Sequence, residues 1–204
     1  MKNYKLTIQY DGTRYRGWQI QNSTEQTIQG KITRVLEEMV SHPVEVIGSG
    51  RTDAGVHAIG QIANVHLDFS VCGEKTAEEI QAYLNHYLPE DIAILYAEEV
   101  DERFHSRYHC VSKTYRYRIH TSTIPNVFER KYVYPFTEAK LDVEKMKMAA
   151  ERLKGTHDFA SFCGNPKNKK STVRTIFDIR IKKSSSEVQI DYCGDGFLQK
   201  MIRM

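Results

Sequence analysis

The stretch that organises this chain is Gly48-Ser49-Gly50-Arg51-Thr52-Asp53-Ala54-Gly55-Val56-His57-Ala58. Its three glycines predict a backbone that turns tightly or lets a ligand approach closely. Asp53 has small neighbours, so a planar group can reach its carboxylate. Arg51 lies on the same side as Asp53 if the chain is extended there. The pattern by itself fits a structural ion pair in a loop as well as a charged ligand site.

Length and composition indicate a globular protein. The 204 residues exceed the usual domain of about 100 to 150 residues, so we expect one large domain or two fused ones. No run of about 18 apolar residues is present, and Met1–Leu6 lacks the apolar core of a signal peptide, so we expect a cytoplasmic protein without a membrane segment. The four cysteines form no Cys-x-x-Cys pair, which disfavours a zinc ribbon or a redox motif.

The first half predicts the order strand, helix, strand, strand, helix, strand. The predicted strands are Leu6–Tyr10, Val44–Ile47, Ala63–Phe69 and Ile92–Val100. Capping boxes at Ser23/Gln26 and Thr76/Glu79 predict the two helix starts. This order is that of a ferredoxin-like unit.

The second half predicts a degenerate copy of the same architecture, from element order alone. It has a strand over Tyr115–Ile119, a helix over Val143–Leu153 and a hairpin with its turn at Lys183–Ser186. We therefore expect two halves, residues 1–104 and residues 105–204.

Positive charge and aromatic side chains alternate between Arg103 and Arg118. The cations are Arg103, Arg107, Lys113, Arg116 and Arg118, and the aromatics are Phe104, Tyr108, Tyr115 and Tyr117. Phosphate contacts beside stacking faces suit single-stranded or looped RNA, although a solvated strand face fits equally well. His105, His109 and Cys110 lack a fourth ligand, so we expect no metal site. A second basic cluster, Lys167, Lys169, Lys170 and Arg174, fits a solvated loop or an RNA-backbone contact.

Several motifs resemble those of the tRNA pseudouridine synthase A (TruA) family. They are Tyr10-Asp11-Gly12-Thr13, Gly17-Trp18-Gln19, Gly50–Ala58, Phe104 with Arg107, Lys113–Tyr117, Gly155–Phe159, Val173–Ile176 and Gly196–Leu198 with Met201–Arg203. The resemblance implies conversion of uridine to pseudouridine at positions 38, 39 and 40 of the tRNA anticodon stem-loop, without metal or cofactor.

The resemblance also implies roles for particular residues. Asp53 is the expected nucleophile, Tyr115 lies against the target base, and Arg203 pairs with the catalytic carboxylate. Arg51 completes the expected catalytic set, and either Arg51 or the basic strand holds the flipped-out RNA backbone. The expected substrate-binding residues are Tyr115, Arg107, Lys113, Arg14 and Lys169. Attack on the base, attack on the ribose and a glycal path all stay open.

The implied fold is α+β, with two ferredoxin-like halves that form a shared, mixed and mainly antiparallel sheet. Helices cover one face, and a central cleft binds RNA. The family's homodimers contact one tRNA with both subunits, so we expect a homodimer. Phe197–Arg203 reads as the opening of a helix that continues further in the family. We therefore expect a truncated second half in which Arg203 is poorly fixed.

Two other classes of function fit parts of the sequence. A non-catalytic RNA-binding module would use the basic and aromatic stretch without chemistry. A glycosidase normally needs two paired carboxylates, and the loop around Asp53 supplies one.

Overall fold

The strand and helix patterns of the sequence fold into an α+β protein, as predicted. The computed structural model describes residues 1–165 and 170–203, and these contain three α-helices and two mainly antiparallel sheets. The chain divides into two compact units, Met1–Cys110 and Val111–Met204. The segment 105–110 therefore belongs with the first unit, six residues beyond the boundary expected from the sequence.

Unit 1 has the predicted order of elements. They are β1 (Lys2–Tyr10), α1 (Ile28–Val40), β2 (Val46–Gly48), β3 (Ala58–Leu67), α2 (Ala77–Tyr87) and β4 (Ile92–Val100). The strands form an antiparallel sheet in the order β2-β3-β1-β4. Leu6 in β1 lies opposite Ala63 on one side and Ala97 on the other. β1 is therefore one of the two central strands of this sheet, together with β3.

Alternation in β1 decides which side of this sheet is buried. Leu6 and Ile8 are fully buried, and they belong to the same core as Ile32 and Leu36 of α1 and Leu84 of α2. Successive strand residues point to opposite faces, whereas helix residues three or four apart share a face. The buried face of β1 and the apolar faces of α1 and α2 therefore form one core.

The two helices of unit 1 start differently from each other. At α2 the predicted capping box is confirmed, because Thr76 accepts from the Glu79 amide and Glu79 accepts from the Thr76 amide. The prediction for α1 is wrong, since its cap is Thr27 and not Ser23. The Gln26 carbonyl instead accepts a hydrogen bond from the Arg16 amide, so the residues before Thr27 serve a loop contact.

Three buried polar side chains hold the segment 101–106 on unit 1. Asn3 donates to the carbonyls of Asp101 and Phe104, and its own carbonyl accepts from Asn64. The Ser106 amide donates to Asn64. Asn3, Asn64 and Ser106 are all at most 2% exposed. Because each buried amide group has a partner, this network is compatible with the interior.

Unit 2 is built on a mixed sheet. Its elements are β5 (Lys113–His120), β6 (Tyr134–Pro135), α3 (Val143–Leu153), β7 (Gly155–Asp158), β8 (Val173–Lys183) and β9 (Glu187–Gly194). The strand order is β6-β5-β9-β8-β7, with β6 parallel to β5 and the other pairs antiparallel. The predicted hairpin is confirmed by the Ser184 amide, which donates to the Glu187 carbonyl. The short exposed strands β6 and β7 were not predicted, because they have no hydrophobic periodicity.

The predicted helix opening over Phe197–Arg203 is wrong. The structure has two successive turns there, in which Met201 donates to the Leu198 carbonyl and Arg203 donates to the Lys200 carbonyl. Lys200 has φ +62°, in the left-handed region, which interrupts helical hydrogen bonding. Leu198 and Met201 are buried in the core of unit 2, so these turns are anchored.

Within the described ranges, no helix has the length and apolar character needed to cross a membrane.

We predict that Gly48→Ala destabilises unit 1. A Cβ at Gly48 would lie 2.6 Å from Trp18 Nε1, and Trp18 is only 1% exposed. Overpacking of this kind costs about 1–3 kcal/mol. Trp18 is the only tryptophan, so its fluorescence during denaturant unfolding measures this unit.

Gly60→Ala in the same sheet is the matched control. The nearest atom to its added Cβ is Thr7 Cγ2 at 3.9 Å. We therefore expect the free energy of unfolding to stay unchanged or to rise by up to about 1 kcal/mol. Equal unfolding midpoints for the two variants would show that Trp18 moves to accept a methyl group.

Candidate active site

The loop between β2 and β3 is fixed at its base by the sheet. The Ser49 amide donates to the Ile62 carbonyl at 2.7 Å, and the Gln61 side chain donates to the Gly50 carbonyl at 2.7 Å. Both partners lie on β3. The loop therefore leaves the sheet in a defined direction before it reaches Asp53.

A second contact joins this loop to the segment that follows β1. The Trp18 amide donates to the Thr52 carbonyl at 3.0 Å, and the Gly55 amide donates to the Tyr15 carbonyl at 3.2 Å. The Thr52 hydroxyl also bonds to the buried Tyr10 hydroxyl at 2.8 Å. Both sides of Asp53 are thus tied to another part of unit 1.

Asp53 lies at the start of a tight turn within the loop. Its carbonyl accepts from the Val56 amide at 3.1 Å, and Gly55 takes φ +76°, which favours glycine. The Asp53 side chain is half-buried. His57 accepts a hydrogen bond from the Gly12 amide at 3.1 Å and so ties the far end of the loop.

Arg51 does not form the loop ion pair that its spacing from Asp53 allowed. Arg51 is exposed, and in the described parts of the chain no acidic group lies within ion-pair distance of it. Its guanidinium is therefore available to a ligand next to Asp53.

Arg14 is held by an acid that the sequence did not indicate. Its guanidinium donates twice to Asp91, at 2.7 and 3.0 Å, and the Tyr15 hydroxyl donates to the other oxygen of the same carboxylate. Burial, with Asp91 adding to it, raises the pKa of Tyr15 above its usual value. Arg14 must share or leave Asp91 to bind substrate.

The segment that carries Arg107 is tied to the same sheet. The Ser106 hydroxyl donates to the Ile47 carbonyl in β2, the strand that leads into the Asp53 loop. Arg107 is exposed. His105 accepts through Nδ1 from the amides of Arg107 and Tyr108, so its ring shapes the turn. Among the residues that the structure describes, no group of three or more potential metal ligands is found.

Unit 2 holds the other predicted site residues. Lys113 and Tyr115 lie two positions apart on β5, and both are half-buried. The Tyr115 ring packs edge-to-face against Phe197, with ring centroids 5.2 Å apart. Arg203 is exposed at the end of the anchored turns. Lys169 lies outside the described residues.

The cationic face of β5 is largely neutralised within unit 2. Arg116 donates twice to Asp191, at 2.6 and 2.8 Å, and Arg118 bonds to both Glu187 and Glu129. These contacts lower the pKa of Asp191 and of Glu187 below their usual values. The predicted alternation is present, but its arginines are engaged by acids of the same unit.

The comparisons with known proteins cover nearly all of these residues. A model of the family described as tRNA pseudouridine synthase matches residues 6–109 and 149–204. The match includes Asp53, Arg107 and Arg203, and it leaves out Lys113 and Tyr115.

Individual relatives extend over the whole chain. The chain is 48% identical to tRNA pseudouridine synthase A of Bacillus sp. (strain KSM-64), covering all of this chain and 81% of that protein. It is 48% identical to tRNA pseudouridine synthase A 2 of Bacillus anthracis, with the same coverage. It is 46% identical to tRNA pseudouridine synthase A 1 of Clostridium tetani, again over all of this chain and 81% of the relative. The chain therefore belongs to the tRNA pseudouridine synthase family.

Proposed function

We propose that this protein isomerises uridine to pseudouridine in tRNA, with Asp53 as the catalytic residue. The observation that carries the proposal is the half-buried carboxylate of Asp53, held in a loop whose backbone is bonded on both sides of it. A carboxylate positioned in this way is preorganised for attack on a bound base or ribose. The type of reaction, isomerisation of uridine in tRNA, is inferred from membership of the family.

The reaction needs one carboxylate. The bond between C1′ and N1 of the uridine breaks, the uracil turns, and a bond forms between C1′ and C5. The C5 proton is then lost and N1 gains one, so atoms and charge balance without an oxidant. Asp53 acts as nucleophile on the ring or on the ribose, or as base at C2′ on the glycal path, and each path uses the same side chain.

Residues of both units serve this reaction in the proposal. Tyr115 stacks on the target base, and its edge-to-face packing on Phe197 keeps the ring in one orientation. Arg203 pairs with the Asp53 carboxylate. These two roles rest on the family resemblance.

Arg51, Arg107, Lys113, Arg14 and Lys169 are proposed to contact the RNA. Arg51 and Arg107 are exposed, and within residues 1–165 and 170–203 neither guanidinium has an acidic partner. The uridine must leave its stack, at a cost of a few kcal/mol, and cations around Asp53 hold the displaced backbone.

The finer properties follow from the family resemblance. We propose the anticodon stem-loop as the substrate region, with positions 38, 39 and 40 as targets, and a cytoplasmic homodimer as the working form. We also propose that the two units are ferredoxin-like halves of one shared sheet with a central RNA-binding cleft. The element order and strand order of unit 1 support this fold for the first half.

Asp53→Asn is expected to abolish turnover and preserve tRNA binding, because it removes the nucleophile without changing side-chain volume. We expect a loss of at least about 10³-fold, measured as tritium released from tRNA that carries 5-tritiated uridine. Asp68→Asn makes the same change at another half-buried aspartate and is expected to keep full activity. An Asp53→Asn rate within about tenfold of the parent would contradict the assignment. A parent that retains tRNA but releases no tritium would instead be a non-catalytic RNA-binding module.

Tyr115→Phe is expected to slow catalysis more than it weakens binding if the hydroxyl moves a proton. The variant keeps the ring packed on Phe197, so it retains the apolar packing of the parent. Single-turnover rates should fall by at least about tenfold. Tyr134→Phe removes an exposed hydroxyl from the same unit as a control. A purely structural Tyr115 would show the opposite pattern, with lower stability and an unchanged rate.

Arg107→Ala is expected to flatten the salt dependence of tRNA affinity. Each phosphate contact that is lost lowers the slope of log K against log salt by about 0.7–0.9, because fewer counterions are released. Arg152→Ala removes the same charge from the exposed side of α3 and should leave the slope unchanged. Equal slopes for the two variants would show that Arg107 does not contact an RNA phosphate.

A further inference from the structure

Arg16 lies in the segment that packs against the catalytic loop, and its backbone is fixed on both sides. Its amide donates to the Gln26 carbonyl at 2.8 Å, and its carbonyl accepts from the Gln21 side chain at 2.9 Å. Its neighbours Tyr15 and Gly17 are buried, whereas the Arg16 side chain is exposed. The structure therefore holds the base of this side chain in place and leaves its charged end at the surface.

The position of Arg16 relative to Asp53 is set by Gly17. A Cβ placed on Gly17 would lie 2.7 Å from the Thr52 carbonyl oxygen and 3.3 Å from the carbonyl carbon of Asp53. The backbone of Gly17 is thus in direct contact with the peptide of Asp53. Arg16 is the adjacent residue, so its side chain starts one residue away from this contact.

The charge of Arg16 is not neutralised by any acidic group in the described part of the chain. In the ranges 1–165 and 170–203, no acidic oxygen lies within ion-pair distance of its guanidinium, whereas Arg14 of the same segment is engaged by Asp91. Arg51, which precedes Asp53 by two residues, is likewise exposed and unengaged. Each of the two loops in contact therefore carries an exposed guanidinium group that has no acidic partner among the described residues, Arg16 in one loop and Arg51 in the other.

We propose that Arg16 binds an RNA phosphate next to the uridine that Asp53 attacks, an inference that rests on the proposed function. A nucleotide turned out of its stack presents a phosphodiester on each side of the displaced ribose. A guanidinium suits this ligand because its planar fork donates two hydrogen bonds to phosphate oxygens. Arg51 and Arg16, approaching from two loops, hold the two phosphates while the base reaches Asp53.

The test compares Arg16→Ala, Arg16→Lys and the charge-matched control Arg34→Ala in the full chain. Arg34 is exposed on α1 and pairs only with Glu38 among the described residues. We expect Arg16→Ala to weaken affinity for unmodified tRNA by about tenfold, the scale of one hydrogen bond to a charged group. The slope of log K against log salt should fall by about 0.7, the value for one phosphate contact in single-stranded RNA. Arg16→Lys should recover the slope and part of the affinity, because it keeps the charge and loses the fork.

Two outcomes would overturn the inference while the proposed function stands. One is a parent that makes pseudouridine while Arg16→Ala and Arg34→Ala have the same affinity and slope. The other is an Arg16→Ala variant with lower affinity but an unchanged slope. That result would show that the Arg16 guanidinium of the parent contacts a base and not a phosphate. A parent that forms no pseudouridine in tRNA defeats the proposed function itself, and the slope measurement then still decides whether Arg16 contacts RNA.

Discussion

The close contact between two loops of unit 1 is the constraint on which the candidate site depends. The segment after β1 and the loop after β2 exchange backbone hydrogen bonds at Thr52 and Gly55, so buried peptide groups are satisfied across the contact. Such an approach leaves no room for a side chain at Gly17, whose φ of +102° also excludes most other residues. The position of Asp53 is therefore a property of two loops and not of one.

For the proposed RNA binding, the distribution of charged side chains matters more than the net charge of the protein. The net charge is only +3, and many cations on the sheet of unit 2 are engaged by carboxylates of the same unit. These partly buried ion pairs cancel the local field that would attract a polyanion. Arg16, Arg51 and Arg107 have no acidic partner in residues 1–165 and 170–203, and all three belong to unit 1. The proposed RNA contacts at Arg16, Arg51 and Arg107 thus use guanidinium groups that no described carboxylate neutralises.

A buried amide network connects the Asp53 loop with the basic segment of unit 1. Asn3 and Asn64 have almost no exposed surface, and they bond to each other as well as to residues 101–106. Ser106 extends the network to β2 through the Ile47 carbonyl. Networks whose members are all satisfied rigidify the structure around them. Arg107 and the Asp53 loop therefore share one support, although 54 residues separate Arg107 from Asp53 in the chain.

The sequence by itself determined the order of elements in unit 1, the buried face of β1, the capping box of α2 and the motif around Asp53. Each of these depends on residues a few positions apart, so periodicity and local hydrogen bonding suffice to indicate them. Only the tertiary structure decided that Thr27 caps α1, that β6 and β7 exist, and which of the described arginines pair with acids. Asp91 and Asp191 reach Arg14 and Arg116 across 77 and 75 positions of the chain. Ion pairs between such distant residues depend on how the strands are arranged in the sheet, and no local pattern of side chains encodes that arrangement.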